Sequence, residues 1–296
     1  MSFPEKGAFH AYRPSAWLQV TGADAAAFLQ GQFTNDIRPV QAGSAVYGLW
    51  LNQKGKVMAD SFIRQADAPD GFWIGSIYSP ASTIRGRLES HIIADDVAVE
   101  DVTGAWCGAA LVGLGSGDWL ASKERSGVIF RGRRSSLESW EWIFPQAEAG
   151  RVRAELSGIR EMGPAEIERS RILAGIPAVP ADIGPGDLPN EGGLDGDAIS
   201  YVKGCYLGQE VMARLKSKGR IRRRLRIVAG SGPPPAVPAA LWLGGAKAGE
   251  LRSAAADGTG SAFVGLAMLS LANLRTEEPL SLSGDGKTAA RISIFS

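Results

Sequence analysis

Apolar and polar positions follow two alternating periods through the first hundred residues, and these periods mark out a mixed unit of helices and strands. Phe28, Leu29 and Phe33 share one side of a helix that Asp24 is placed to cap and that Thr34-Asn35-Asp36 ends. Ser44 to Leu51 reads as a strand, Asn52-Gln53-Lys54-Gly55 as a turn, and Lys56 to Arg64 as the returning strand of a hairpin. Phe72 to Ile77 is a third strand. Ser79-Pro80 then supplies an N-cap and first-turn pair for a helix bearing Ile84, Leu88 and Ile92 at spacing four, and Val97 to Val102 returns to strand.

The pattern weakens between 103 and 160. Leu111 to Gly117, with Gly113, Gly115 and Gly117, lacks the Lys-Ser/Thr ending of a phosphate loop and reads as a strand and turn. Trp140 to Phe144 predicts a strand, Ala147 to Ser157 a helix, and Ala165 to Leu173 a helix stopped by Gly175 and Pro177. Pro177 to Asp197 is a long loop rich in Pro, Gly and Asp, of a length that usually serves function inside a compact protein. After Ser231-Gly232-Pro233-Pro234-Pro235, the segments Leu241 to Leu243, Ala262 to Met268 and Ala290 to Ile294 form a small β-rich part. The expected division is residues 1–102, residues 103–228 and residues 229–296, with the first two parts free to interleave.

Composition narrows the function classes. With 32 basic and 31 acidic residues, no global field favours DNA or a membrane surface. No stretch reaches 18 apolar residues, and Met1 to Gly7 lacks the apolar run of a signal peptide, so the expected location is cytoplasmic. Two cysteines, Cys107 and Cys205, exclude a disulfide scaffold, and a four-ligand Cys/His metal site would consume both of them and both histidines, His10 and His91. Each histidine reads as structural or solvated, which disfavours a Cys-His mechanism.

Three features carry candidate chemistry. The first is Lys203-Gly204-Cys205-Tyr206-Leu207-Gly208-Gln209-Glu210, with Val211-Met212-Ala213-Arg214 behind it. Gln209 to Leu215 predicts a short helix with Val211, Met212 and Leu215 facing inward. Cys205 then stands in the turn before a helix N-terminus, where the macrodipole favours a thiolate. Lys203 acts in the same direction and Glu210 against it, and Gly204 and Gly208 allow backbone N–H groups to approach a ligand. The alternative is an inert cysteine buried in a tight turn. The second feature is Asp60, placed by strand alternation on one face with Met58 and Phe62. A carboxylate there needs donors, either from an adjacent turn or from the N–H groups of a bound amino-pyrimidine. The third is Arg220-Ile221-Arg222-Arg223-Arg224-Leu225-Arg226-Ile227, either a solvated strand edge or a stripe binding polyglutamate, phosphate or RNA, with no aromatic residues between the arginines.

Lys203 to Glu210, with Arg214 behind it, resembles the signature of the YgfZ family, folate-binding proteins with mitochondrial Iba/Caf-type relatives that act in iron–sulfur cluster assembly or repair. Phe28-Leu29-Gln30-Gly31-Gln32, Thr34-Asn35-Asp36, Gly55-Lys56 leading to Asp60, Ala174-Gly175-Ile176-Pro177 and Leu188-Pro189-Asn190-Glu191 are similar to further landmarks of that family. The resemblance covers residues 8–228 well and the tail by position and β-rich character. It implies an α+β fold like that of the glycine-cleavage aminomethyltransferases, a three-part ring of two ferredoxin-like domains and a small C-terminal β-barrel, with tetrahydrofolate in a central channel. Where those enzymes carry an Asp pair, this chain has Ala59-Asp60, which counts against ordinary aminomethyl transfer.

By the same resemblance Asp60 would hold the pterin edge, Arg214 the glutamate tail, and Tyr206, Gln209 and Glu210 would complete the folate site. Cys205 would be a nucleophile or a transient sulfur or metal ligand, with Lys203 lowering its pKa. The implied partners are iron–sulfur enzymes, including radical enzymes that thiolate tRNA, and their assembly factors. Two other functions stay open: a folate-dependent one-carbon transferase or demethylase in which Asp60 is the acid/base, and a non-enzymatic scaffold whose arginine row binds RNA or an acidic partner.

Overall fold

A computed structural model describes residues 7–38, 44–66, 71–272, 279–284 and 292–294. Strand β1 (Ala8–Tyr12) does not pair with β2 (Ala16–Thr21) that follows it. From β2 the chain enters α1 (Ala25–Gln32), the hairpin β3 (Val46–Leu51) and β4 (Val57–Gln65), β5 (Phe72–Ser76), α2 (Ala81–Glu89) and β6 (Ala98–Asp101). These strands form an antiparallel sheet in the order β3-β4-β5-β2-β6. Alternation divides its two faces. Leu18, Val20, Trp50, Ala59, Ile63 and Ile74 point to α1 and α2 and pack on Leu29, Phe33, Ile84 and Leu88. Trp17, Tyr47 and Phe62 lie on the opposite face, and Asp60, opposite Leu49 and two positions before Phe62, shares that face.

That opposite face meets a second sheet. β7 (Trp106–Val112), α3 (Ser116–Ala121), β8 (Val128–Arg131), β9 (Ser139–Pro145), α4 (Ala149–Glu155) and β10 (Arg160–Glu161) follow in the chain, and β1 returns to complete the order β10-β1-β7-β9-β8. One face of this sheet packs Phe9, Leu111, Trp142 and Phe144 against Leu120, Val152 and Leu156. The other brings Val128, Phe130 and Ile143 against Trp17 and Phe62 of the first sheet, with Trp17 and Phe130 stacked at 6.4 Å.

After α5 (Pro164–Leu173) the chain runs through an irregular segment to α6 (Gln209–Lys218), then β11 (Arg223–Ser231), β12 (Ala239–Leu243), β13 (Ala246–Ala256), β14 (Ala262–Ser270) and β15 (Ile292–Ile294). These strands take the order β12-β13-β14-β11-β15. Trp242 bridges to Ser281 and Leu280 to Ile292, so residues 280–281 join the two edges and the sheet curls into a barrel over Val228, Leu241, Leu251, Phe263 and Leu269. The α5 helix packs on the outside of the barrel through Ile172.

The Pro- and Gly-rich loop is ordered by arginines. Arg171 donates from Nη1 to Asp182 (2.7 Å) and to the Ile176 carbonyl (3.0 Å), from Nη2 to Ser253 Oγ (2.7 Å), and pairs with Glu168. Arg252 reaches Asp187 at 2.5 Å, and Arg223 reaches both Asp187 and Glu191. Buried charge of this kind is tolerable only because each carboxylate meets a guanidinium.

Several local expectations change. Asp24 and Ser79 are not side-chain caps: the Asp24 carboxylate accepts from the Asp96 N–H (2.8 Å), and Pro80 is the N-cap residue of α2 while the Ser79 hydroxyl turns to Asp60. Each side chain meets a donor or acceptor that is remote in sequence, which a cap rule cannot register. Helix α6 runs past Leu215 to Lys218. Strands β1, β2, β8, β10 and β13 and the helix α3 are additions, and the last strand is seen for Ile292–Ile294, with Ala290 and Arg291 outside the described residues, as are the first six residues of the amino terminus.

Candidate functional site

Two polar clusters lie where the first two sheets face each other. Asp60, only 7% exposed, is placed by the β4 alternation away from the helices and toward the second sheet. Its Oδ1 accepts from Ser79 Oγ (2.6 Å) and Ser76 Oγ (2.7 Å), its Oδ2 accepts from the Tyr47 hydroxyl (3.0 Å), and its backbone N–H donates to Ser79 Oγ (2.9 Å). The Ser79 hydroxyl also lies 2.9 Å from the Val179 carbonyl, which ties the long loop to this carboxylate. Burial pushes the Asp60 carboxyl above the ordinary carboxylate range, while the three hydroxyl bonds and the Arg133 charge pull it down. With two donors on Oδ1 and one on Oδ2, a carboxylate of four acceptor directions keeps one free on Oδ2.

Arg133 covers Tyr47, its guanidinium 3.8 Å from the ring centroid, and pairs with Asp197 at 2.8 Å. Beside it, Arg134 Nε donates to Glu141 (3.0 Å), whose other oxygen accepts from the Tyr12 hydroxyl (2.6 Å). Arg134 lies 4.1 Å from the Tyr12 ring centroid and 5.9 Å from that of Tyr78, the neighbour of Ser79. Among the described residues Nη1 of Arg133 and Nη2 of Arg134 are buried without a hydrogen-bond partner, and the Arg133 charge acts on the Asp60 carboxylate. Sequence reading missed Tyr47, Ser76, Ser79, Arg133, Arg134 and Glu141. One signal was present: Glu141 shares its strand face with apolar Ile143, the pattern that singled out Asp60.

The motif segment is anchored from below. The Lys203 ammonium donates to the carbonyls of Gln30 (2.6 Å), Phe33 (2.6 Å) and Asn35 (3.0 Å), at the C-terminal end of α1 where carbonyls lack helical partners. Burial pushes its amine down to about 8, so the charge is retained at neutral pH. Lys203 is therefore spent on backbone acceptors of the first domain and works as a tether for the loop. The Tyr206 ring packs among Leu49, Leu51, Val57 and Met212, 5.3 Å below the Lys203 ammonium. Between these two buried anchors Gly204 and Cys205 are exposed, and Cys205 is a free thiol. Gln209 is half-buried, and Glu210 and Arg214 are exposed on α6.

Loop and carboxylate are separate but connected. Among the described residues no hydrogen bond or ion pair joins Asp60 to Cys205, Tyr206, Gln209, Glu210 or Arg214. The link runs through Thr34 and Asn35. Thr34 Oγ1 donates to the Ala198 carbonyl (2.7 Å) and accepts from the Leu49 N–H (2.8 Å), and Asn35 Nδ2 donates to the carbonyls of Tyr47 and Asp197, both at 2.9 Å. His10 stacks on the Tyr12 ring at 6.3 Å and pairs with the Met162 carbonyl at 2.9 Å, while His91 pairs with Arg87.

Two local predictions follow from this geometry. Lys203→Met strands three carbonyls without their donor and is expected to cost about 1–3 kcal/mol, read from urea unfolding, with faster hydrogen exchange concentrated at residues 200–208. Gly208, with φ of +87°, turns the chain into α6, and a Cβ there would lie 3.0 Å from the Asn52 carbonyl oxygen. Gly208→Ala is expected to cost about 1–2 kcal/mol by the same measurement, because both the backbone region and the contact oppose a side chain.

Comparison with known proteins places this geometry. Residues 14–127 match the GCVT N-terminal domain, and residues 222–294 match the CAF17 C-terminal beta-barrel domain. The mitochondrial iron-sulfur cluster assembly factor IBA57 of Homo sapiens is 31% identical over 278 residues, covering 85% of this chain and 74% of that protein. The tRNA-modifying protein YgfZ of Escherichia coli (strain SE11) is 29% identical over 235 residues, covering 73% of this chain and 70% of that protein. Among solved structures, the glycine cleavage system aminomethyltransferase T from Bartonella henselae superposes with a TM-score of 0.78 over 98% of this chain and 85% of its own, at 18% identity, a likeness of fold.

Proposed function

The chain belongs to the family of YgfZ and IBA57, related to aminomethyltransferase T, and from that premise we propose that it is a folate-binding protein that supports iron–sulfur cluster assembly. The finer reading is that tetrahydrofolate lies against Asp60 and that Cys205 contacts the cluster or its sulfur in transit, the cluster being cargo. Clients that modify tRNA fit the name of the bacterial relative.

The observation that carries the folate reading is the Asp60 carboxylate, buried, held by three hydroxyls and left with one acceptor direction on Oδ2. Its chemistry suits one N–H donor of a pterin amino-pyrimidine edge, since a charge-assisted hydrogen bond to a fixed acceptor is the strongest polar contact available there. The unspent Nη1 of Arg133 and Nη2 of Arg134 suit carbonyl or carboxylate oxygens of the same molecule. Tetrahydrofolate, when bound, would supply a one-carbon carrier; the chain's own residues bind and orient it. Asp60 accepts, Tyr47 and the two serines fix the direction of its oxygens, and Arg133 closes over Tyr47.

Arg214, Gln209 and Glu210 are given a lesser part, because α6 exposes Glu210 and Arg214 and half-buries Gln209. Tyr206 sets the height of the loop, and Lys203 holds it to α1, which leaves the Cys205 thiol accessible on a fixed support. The direct test is calorimetric titration of the purified protein with tetrahydrofolate. One-to-one binding is expected, and a titration without heat at several temperatures would remove the folate part of the reading.

A further inference from the structure

We propose that the exposed basic face formed by α6, residues 219–222 and the start of β11 is a docking surface for an acidic protein partner, which it brings to the Cys205 loop. The inference rests on the reading that Cys205 serves such a partner, and it names the chemistry by which that partner is recognised.

The chain carries a formal charge of only +1, yet no Asp or Glu occurs between Glu210 and Glu250. Within that interval Arg214, Lys216, Arg220, Arg222 and Arg224 are exposed. Arg223 is neutralised by Asp187 and Glu191. Among the described residues Arg214, Arg220, Arg222, Arg224 and Arg226 have no ion pair.

Ordinary structural reasons cover part of this charge. Lys216 lies in the last turn of α6, where a cation complements the helix dipole. Arg224 and Arg226 stand on the stretch of β11 beyond its short pairing with β15, which spans Val228 to Gly230, and charge there discourages edge-to-edge association. Neither reason reaches Arg214, Arg220 or Arg222. Those three carry the surplus.

The basic face borders the thiol loop. Lys216 Nζ lies 3.9 Å from the centroid of the Tyr201 ring, four positions before Cys205. The next residue, Val202, is 93% exposed, a branched apolar side chain presented to solvent three positions before the free thiol. A cationic rim around a small apolar point suits a protein surface whose carboxylates steer approach and whose centre accepts Val202. Single-stranded RNA would need ring faces for its bases, and α6 and residues 219–224 contain no Phe, Tyr or Trp, while Tyr201 is covered by Lys216.

The test compares the wild type with Arg220→Glu/Arg222→Glu/Arg224→Glu by fluorescence anisotropy, using an oligo-aspartate peptide and an oligouridylate, each about a dozen units long, between about 50 and 200 mM salt. The peptide is expected to bind with steep salt dependence and to lose at least about tenfold in affinity in the triple variant, with a smaller loss in the single variant Arg222→Glu. Tetrahydrofolate binding and the melting curve are expected to stay at wild-type values, and Cys205→Ala is expected to bind the peptide normally. Cells relying on the triple variant are expected to lose iron–sulfur enzyme activity. Equal peptide affinity in wild type and triple variant would overturn the proposal, as would oligouridylate bound about tenfold more tightly than the peptide. A protein that binds the peptide but not tetrahydrofolate would sink the folate reading and leave this surface standing.

Discussion

Cys205→Ser is expected to abolish support of iron–sulfur enzymes in cells while leaving the fold and tetrahydrofolate binding intact. The reason is positional. Cys205 is exposed and free, and it packs in none of the hydrophobic cores of the described chain. Surface substitutions away from packed features usually change stability by no more than about 0.5 kcal/mol, so the melting temperature should barely move. Chemistry is another matter, because a serine hydroxyl does not ionise near neutral pH and binds soft metals poorly. Loss of at least about 1.4 kcal/mol in any step that needs the thiolate would show as a tenfold drop in client activity. The measurement is enzyme activity of an iron–sulfur client in cells carrying only the variant, beside calorimetry on the purified protein. Full client activity with Ser at position 205 would refute the thiol's role.

Asp60→Asn is expected to do the reverse, removing tetrahydrofolate binding by about 100-fold or more while the fold holds or gains. Charge-assisted hydrogen bonds contribute about 1.5–3 kcal/mol, and the variant replaces one acceptor oxygen by a donor facing the ligand's own N–H groups. The stability side follows from the raised Asp60 pKa, caused first by burial. Because the folded value lies above the ordinary 3.8, the folded state keeps a proton that the unfolded chain has already released between those two pH values. This proton's stabilisation is complete below the unfolded value and is lost as pH rises through the folded value. At neutral pH the ionised Asp60 is thus a cost to folding, offset only partly by its hydroxyl donors. Asn keeps an acceptor for Ser76 and Ser79 and removes the charge. Its melting temperature should equal or exceed that of the wild type at pH 7, with the difference shrinking as pH falls toward 4. Tight folate binding by the variant would move the ligand site elsewhere, and a large loss of stability would mean that the carboxylate is structural.

The two residues with the largest predicted effects were both visible before any fold was known, for different reasons. Asp60 stood out because strand alternation put a carboxylate on a face with Met58 and Phe62, and burial of such a group demands donors. Cys205 stood out by its neighbours. What those neighbours do was not legible. Lys203, two residues from the thiol, is drawn instead to carbonyls about 170 residues earlier, since an ammonium leaving water goes to the site with the most acceptors. Ser79 reads locally as a helix cap, yet its hydroxyl serves a strand residue 19 positions away. Arg133 and Arg134, in the weakly patterned middle of the chain, carry no periodic signal; they matter because β8 and β9 bring them over Tyr47 and Tyr12.

Local order along the chain determines the hairpin, the helices at the long periodic segments, the β-rich tail, the strand face that carries Asp60 and the turn before a helix that carries Cys205. These depend on spacing between residues a few positions apart, and sequence displays that spacing directly. The tertiary structure alone decided that β1 completes the second sheet, that Arg171, Arg223 and Arg252 order the long loop, and which donors surround Asp60. It also decided that the Cys205 loop and the Asp60 cluster stand apart, joined through Thr34 and Asn35. Those outcomes depend on pairing between residues 11 to 164 positions apart, selected by which buried polar groups find partners once the sheets close on each other.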